Sequence, residues 1–497
     1  MLEAAYVLFA LIYCFLLLVR FSRWLSLLQQ KEYRWDRIIT HLQTPEGLED
    51  LVGVIPPLSQ LSWSRFKRPR PTARVITSAF LVLCLILLGA GAASLWWLGL
   101  GLGYWTVIAA VFAILVLLFM PALVLVSAIP TSLISRWQTS RMLRKAEQLL
   151  ARHAPLVIGI TGSYGKTSTK QLLAHVLRQK YSVFATPKSF NTRFSVAQSV
   201  VEGYKNEEIV ILEYGAYAPG EIRALASRLT PAWAIITGFA PQHLGLFGSE
   251  ESIVKAKAEL LQALPNHGKA FVNGNDPAVQ RIVKAAHLPA SLSFQKFAWE
   301  DYSWLKKAKM SNSGELFIQH QNRSVKTAFV GLHYRSIIAA VARVAEELKM
   351  SQLAVIKRLS TFEPSSAFIT TRQTENGSFI IDDGGTSNPK GFAAALDLVS
   401  QLEYPKKILV TSGIVDLGEK TQSIHQELAQ LAWQAGVSEV LFVGQQGKVA
   451  FTSVFTSARV IDDIVEVKTV LENLPAGSLL LIEGRQPGWC QKSIDAL

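Results

Sequence analysis

Gly159-Ile160-Thr161-Gly162-Ser163-Tyr164-Gly165-Lys166-Thr167-Ser168-Thr169-Lys170 is the stretch on which the reading of this 497-residue chain turns. The apolar run Leu156 to Ile160 before it predicts a buried parallel strand. Gln171 to Leu177 after it continues as a helix. A strand, a glycine-rich turn and a helix start make a phosphate cradle: Gly162 and Gly165 let backbone N–H groups approach oxyanions. Lys166 can reach the β- and γ-phosphates of a nucleotide, and the Thr167 hydroxyl can ligate Mg²⁺. Ser163 and Ser168 belong to the same cradle. The six-residue spacing GxxxxGK[ST] would place glycine at 160, where Ile160 stands, so the loop is the tighter T-G-x-x-G-K-T.

Outward from this loop, strands and helices alternate from Ala154 onward. This predicts an α/β fold with a parallel sheet and ligands at the strands' carboxyl ends. Glu208-Ile209-Val210-Ile211-Leu212-Glu213 is an apolar strand ending in an acid, and Glu213 is the candidate second Mg²⁺ ligand. Pro231 to Gly238 is another buried strand, with His243 just beyond it on the same predicted rim. The next helix carries Lys255, Lys257 and Glu259. Lysines on a helix are usually a solvated face, but Lys257 could point into the site. A second α/β unit starts near Ser365, and its strand Ser378 to Ile381 runs into Asp382-Asp383-Gly384-Gly385.

The first third is different. Half the chain is hydrophobic and mean hydropathy is +0.26, and the excess sits in apolar runs at about 4–20, 75–100 and 104–127. The last two exceed the ~20 residues that span a bilayer core, and the first is at the short end of that range. No basic region precedes the first run and no cleavage site follows it, so it is not read as a signal peptide. Basic residues cluster between the first two runs (Arg20 to Arg74) and after the third (Arg136 to Arg152). The turn around Gly101-Leu102-Gly103 is uncharged. The positive-inside rule then gives a multi-pass protein of the cytoplasmic membrane with its last two-thirds in the cytoplasm, where ATP is. The stretch Trp35 to Ser64 is amphipathic and reads as lying on the membrane face. The net charge of +13 is accounted for by these flanks and requires no nucleic acid as partner. Cys14, Cys84 and Cys490 have no metal or disulfide spacing.

The order T-G-x-x-G-K-T, then Glu213-x-Gly-Ala with Gly220-Glu221-Ile222, then P-x-x-A-I-I-T, H-L-x-x-F-G-S and A-K-x-E-L resembles the Mur ligases. It is nearest the branch that adds D-alanyl-D-alanine to a UDP-muramoyl-tripeptide. The resemblance implies a P-loop central domain over 151–362, a Rossmann-like C-terminal domain over 363–497, and ADP-forming ligation of a carboxylate to an amine. It implies ATP and two Mg²⁺ ions, one on Thr167 and Glu213, the other on His243 and a carbamylated Lys257. It implies that Asn273 contacts adenine, that Asp382 belongs to the nucleotide site, and that Asn191 and Thr192 form a substrate-side loop. The implied partners are a muramoyl peptide and an amine.

Residues 1–150, the expected membrane anchor, stand where the soluble ligase has its UDP-binding domain. That suggests a lipid-linked precursor as a substrate. Tyr334 and Ile337 replace two asparagines of the family pattern, Gly385 replaces a tyrosine, Ala367-Phe368 a Gly-Arg pair, and Glu483-Gly484-Arg485 stands where K-G-S is usual. Two rival classes are a different P-loop machine, such as a transport ATPase or kinase, and a non-catalytic nucleotide-binding regulator.

Overall fold

The computed structural model describes residues 2–31, 33–42, 45–53, 69–100, 105–321, 323–385, 387–444, 446–455 and 460–497. The expected turn at 101–103, and residues 54–64 of the expected amphipathic stretch, lie outside the described residues. The chain forms two compact units, Met1–Arg141 and Met142–Leu497.

The first unit is helical: Leu2–Gln30, Trp35–Leu42, Pro45–Val52, Ala73–Leu100 and the first part of Trp105–His153. The helices cover the apolar runs at 4–20 and 75–100 and residues 105–127 of the third; residue 104 lies outside the described residues. Trp24, Leu25, Leu28, Val82, Met120 and Val124 make its core. Much of the remaining apolar surface faces outward, including Leu11, Phe15, Phe80, Leu87, Leu118 and Phe119. Among the described residues, Leu11–Gln30 and Val111–His153 are long and apolar enough to cross a membrane, and Ala73–Leu87 is a shorter apolar helix. Inside the unit, Asp50 pairs with Arg23 and with His41 at 2.9 Å, and the Arg74 guanidinium lies 3.8 Å from the Tyr33 ring centroid.

The second unit begins at Met142. Leu143, Ala146 and Leu150 recur at helical spacing and pack with Val196, Val200 and Tyr204, which draws the helix end into the α/β core. The unit holds strands β1 (Leu156–Thr161), β2 (Val183–Ala185), β3 (Ile209–Glu213), β4 (Trp233–Ile236), β5 (Lys269–Asn273) and β6 (Ser293–Phe297). They form one parallel sheet in the order β2-β3-β1-β4-β5-β6. β1 and β3 are apolar on both faces and buried almost throughout, as a sheet covered by helices on both sides requires. The chain leaves β1 toward β3 and β2, while β4 to β6 lie on its other side. This opens a crevice at the carboxyl ends of β1 and β4.

A small antiparallel sheet follows: β7 (Lys309–Met310), β8 (Glu315–His320) and β9 (Arg323–Val330). The last sheet comprises β10 (Thr370–Gln373), β11 (Phe379–Asp383), β12 (Lys407–Thr411), β13 (Glu439–Phe442), β14 (Val460–Ile461) and β15 (Leu479–Glu483). Its order is β10-β11-β15-β12-β13-β14, parallel except for β10. The α/β fold class read from the sequence is therefore the observed one. Tyr334, one of the residues departing from the family pattern, stacks with Phe368, and its hydroxyl accepts the Ile369 N–H at 2.7 Å. It thereby ties the link between the two large sheets.

Candidate nucleotide and ligation site

Residues 162–165 turn the chain from β1 into the helix Lys166–Leu177, whose N-cap is Gly165 at φ 73°. A side chain is excluded at Gly162, because a Cβ there would fall on the Thr237 hydroxyl. The loop is pinned to the chain after β4: Ser163 donates its N–H to Gly238 O and its hydroxyl to Ala240 O, both at 2.9 Å, and Thr237 Oγ1 donates to Tyr164 O at 2.5 Å. Free N–H groups at this helix start are a ready seat for an oxyanion.

A cavity of about 620 Å³ opens over the loop. Ser163, Gly165, Lys166, Thr167 and Ser168 line it, together with Asn191, Glu213, His243 and Lys257. These residues come from different strands and helices but share one end of one parallel sheet. Glu213 is almost wholly buried, and both of its oxygens are engaged. Oε2 accepts from Thr167 Oγ1 at 2.9 Å and pairs with Lys170 Nζ at 3.1 Å, and Oε1 accepts from Asn191 Nδ2 at 3.1 Å. Lys170 is fully buried and also donates to Lys188 O at 2.6 Å.

The site is rich in positive charge. Lys166 donates to Gly162 O at 2.8 Å. Burial lowers its pKa, Glu213 opposes that shift, and Lys170 adds to it. Lys257 is buried on the helix Glu250–Gln262, and burial, with Lys166 nearby, lowers its pKa to about 7. Burial also lowers His243, with Asp416 opposing the shift and the two lysines reinforcing it. A triphosphate is the kind of ligand such a cavity accepts.

Oxygen donors Thr167 and Glu213 fit a hard divalent ion. The second pair does not fit one as it stands, because Lys257 as an ammonium repels a cation. Among the described residues no group of three His, Cys, Asp or Glu side chains is disposed for a metal. With a pKa near 7, a large share of Lys257 is the neutral amine at neutral pH, the form that adds CO₂. A carbamate there would supply oxygen ligands beside His243.

A second lobe of about 290 Å³ shares Tyr164, Gly165 and Ser168 with the first and is lined also by Thr237, Asn273, His333, Tyr334, Ile337 and Asn388. His333 is held neutral by burial, its pKa lowered to about 4. Asn273 lines this lobe with its amide already engaged: Nδ2 donates to Thr237 O at 2.8 Å and Oδ1 accepts Asn275 N–H at 2.9 Å.

Two expected residues fall elsewhere. Thr192 is not among the lining residues. It caps the helix Arg193–Gly203, with its hydroxyl accepting the Ser195 N–H. Asp382 accepts the Gly384 N–H at 2.8 Å within its own turn, and its neighbour Asp383 lines both lobes. Strand alternation is the reason, since adjacent residues on β11 point to opposite faces.

Lys170, Asp383, Arg485 and Asp416 were not named as site residues from sequence. Lys170 had a signal: four residues after Lys166 on one helix, it lies on the same face. Asp416 had none. It comes from the loop after β12 and sits 3.4 Å from His243 Nδ1.

Residues 160–345 match the Mur ligase middle domain. The UDP-N-acetylmuramoyl-tripeptide–D-alanyl-D-alanine ligase of Bacillus subtilis is 29% identical over 295 residues, 59% of this chain and 63% of that protein. The enzyme of the same name from Mycobacterium bovis is 31% identical over 299 residues, 58% of each chain. The chain thus spans about three-fifths of the length of these curated relatives. In structure it is similar to MurF from Acinetobacter baumannii, with TM-score 0.64 and 22% identity over 72% of this chain and 80% of that one. It is also similar to MurF ligase from Thermotoga maritima in complex with ADP, with TM-score 0.60 and 22% identity over 72% and 82% of the two chains. At these identities the structural likeness speaks for the fold.

Proposed function

We propose, on the premise that residues 160–345 make this chain a member of the Mur ligase family, that it is a membrane-anchored, ATP-dependent, ADP-forming carboxylate–amine ligase. Its substrates are a muramoyl peptide or related cell-wall precursor and an amine such as D-alanyl-D-alanine. The observation that carries the reading is the gathering of Lys166, Thr167, Glu213, His243 and Lys257 on one cavity.

The reaction has two steps. The substrate carboxylate attacks the γ-phosphate, giving an acyl phosphate and ADP. The amine then attacks the acyl carbon and phosphate leaves. Lys166 and the N–H groups of the loop stabilise charge that builds on the phosphoryl oxygens. Thr167 and Glu213 would hold one Mg²⁺, and His243 with a carbamylated Lys257 the other; the ions would screen the phosphates from the incoming carboxylate. The second lobe takes the nucleoside, with Asn273 on its wall. Asn191, bonded to Glu213, stands on the side where the acceptor enters. Asp383 and Arg485 come from the C-terminal sheet to the same cavity, so that sheet helps keep water from the acyl phosphate.

The apolar helices of the first unit, with outward-facing Leu11, Phe15, Phe80 and Phe119, support a bilayer anchor. A lipid-linked acceptor suits such an anchor. The test is to incubate membranes carrying the protein with ATP, UDP-linked or lipid-linked muramoyl peptides, and candidate amines. The expected result is a mass gain equal to the amine less water, and acyl hydroxamate when hydroxylamine replaces the amine. ATP hydrolysis without an acceptor and without hydroxamate would favour another P-loop ATPase. Nucleotide binding without turnover would favour a regulator. Lys257→Ala should abolish turnover, with small carboxylates restoring part of it.

A further inference from the structure

His243 and Asp416 meet from different sheets, and both hold left-handed backbone, at φ 56° and 63°. Such strain in non-glycine residues persists where the surroundings enforce it, and it gathers at working sites. Three contacts do the enforcing. Gly245 N–H donates to Asp416 O at 2.8 Å. Gly418, at φ 59°, lies against Gly245, and a Cβ at Gly418 would come 3.2 Å from the Gly245 Cα. Lys420 Nζ reaches Glu250 at 2.5 Å. Together these make a seam between the loop 413–420 and the segment 243–250. At its inner end the Asp416 carboxylate stands 3.4 Å from His243 Nδ1, a distance of ion-pair contact longer than a well-formed hydrogen bond. The Tyr217 ring packs edge-on against the imidazole, centroid to centroid 4.8 Å.

We infer that Asp416 is a positioning residue for His243, and that docking of loop 413–420 on segment 243–250 orients the imidazole for a ligand in the cavity. With Nδ1–H turned toward Asp416, the remaining nitrogen, Nε2, carries the lone pair available to that ligand. A carboxylate behind a histidine fixes ring orientation and tautomer and raises ligand basicity. Here the carboxylate is brought by the other sheet, so the histidine is set only when the two sheets are closed on each other. The inference rests on the proposed metal role of His243, and its test needs no ligation product.

The experiment uses the full chain in detergent or nanodiscs, with Mn²⁺ and ADP as probes. Mn²⁺ binding in the presence of ADP is followed by electron paramagnetic resonance, and amide exchange of peptides covering 243–250 and 413–420 by mass spectrometry. In the unmodified protein, ADP with Mn²⁺ should slow exchange in both peptides together. Asp416→Ala, which removes the carboxylate, should weaken Mn²⁺ binding about 10–100-fold and leave metal-free ADP affinity unchanged. Asp416→Asn keeps the shape and should fall between the two. Gly418→Val breaks the seam without touching His243 and should lose the paired protection and weaken Mn²⁺ to a similar degree.

Full Mn²⁺ affinity in Asp416→Ala and Gly418→Val would overturn the inference, as would protection of 243–250 that is independent of 413–420. Absence of any ligation product alongside the predicted Mn²⁺ and exchange changes would overturn the proposed reaction and leave this inference standing.

Discussion

Two strands of this molecule end alike and are treated oppositely. β3 reads Ile-Val-Ile-Leu-Glu and closes on Glu213, and β15 reads Leu-Leu-Leu-Ile-Glu and closes on Glu483. Both lie inside parallel sheets and both acids are buried. Glu213 is met by the Lys170 ammonium, the Thr167 hydroxyl and the Asn191 amide. Glu483 is beside another acid, Asp383, its register partner on β11, and its Oε1 accepts from Ser387 Oγ at 2.8 Å. Burial, with Asp382 adding to it and Glu483 opposing it through a hydrogen bond, pushes Asp383 up to about 7, and burial and Asp383 push Glu483 well above the carboxylate range. A buried acid must find a cation or keep a proton. The central sheet takes the first course, pairing Glu213 with the Lys170 ammonium. The C-terminal sheet takes the second, which keeps its rim from adding a second full negative charge to the proposed phosphate site.

The largest effect should come from removing the cation. Lys170→Met strands the Glu213 carboxylate without its ammonium and should cost about 3–5 kcal/mol of stability, read from chemical denaturation of the full-length protein. Adding Glu213→Gln to it should restore a good part of that loss, because the uncompensated charge is then gone. If the double variant is as unstable as the single, the pairing account of the central rim is wrong.

The next effect is one of pH. An acid with a raised folded pKa holds its proton more tightly folded than unfolded. Its contribution to stability is therefore largest at low pH and falls as pH rises from the unfolded carboxylate range near ~4 to about 7 for Asp383, then levels off. Glu483→Gln removes one of the two acids whose pKa is raised by burial and should flatten that decline. An unaltered slope between these pH values would separate the pair from the titration.

Smaller changes sharpen the picture. Asn191→Ala deletes one hydrogen bond to the charged Glu213 and should cost about 1.5–3 kcal/mol, with weaker nucleotide-dependent metal binding as the companion readout. Lys420→Ala breaks a half-exposed contact to Glu250, which Arg281 also holds at 2.8 Å, and should cost no more than about 0.2–1 kcal/mol. A larger loss would mean that this contact contributes beyond ordinary surface pairing.

Much of the site was legible because its signals are local. Gly162, Gly165, Lys166 and Thr167 lie in one turn whose chemistry needs no distant partner. Glu213 is found by an apolar strand ending in an acid, and His243 by its place after another strand. Even Lys257, ambiguous on a helix face, was within reach once the family pattern supplied its spacing. Asp382, implied by the resemblance, turns into its own loop while its neighbour Asp383 lines the cavity, a difference of facing that sequence does not give. Thr192, adjacent to the cavity-lining Asn191, went to a helix cap instead.

The sequence by itself determined the apolar helices at the front, the alternation that builds parallel sheets, and the loop that cradles phosphate, since periodicity and turn chemistry act over a few residues. Only the tertiary structure decided that Lys170 turns inward to Glu213, that Asp383 and Glu483 become neighbours across β11 and β15, and that Asp416 stands behind His243. Those are contacts between segments 43, 100 and 173 residues apart, set by sheet register and by the docking of one sheet's loops on the other. Electrostatic character in a buried site depends on which charges packing brings within a few ångströms.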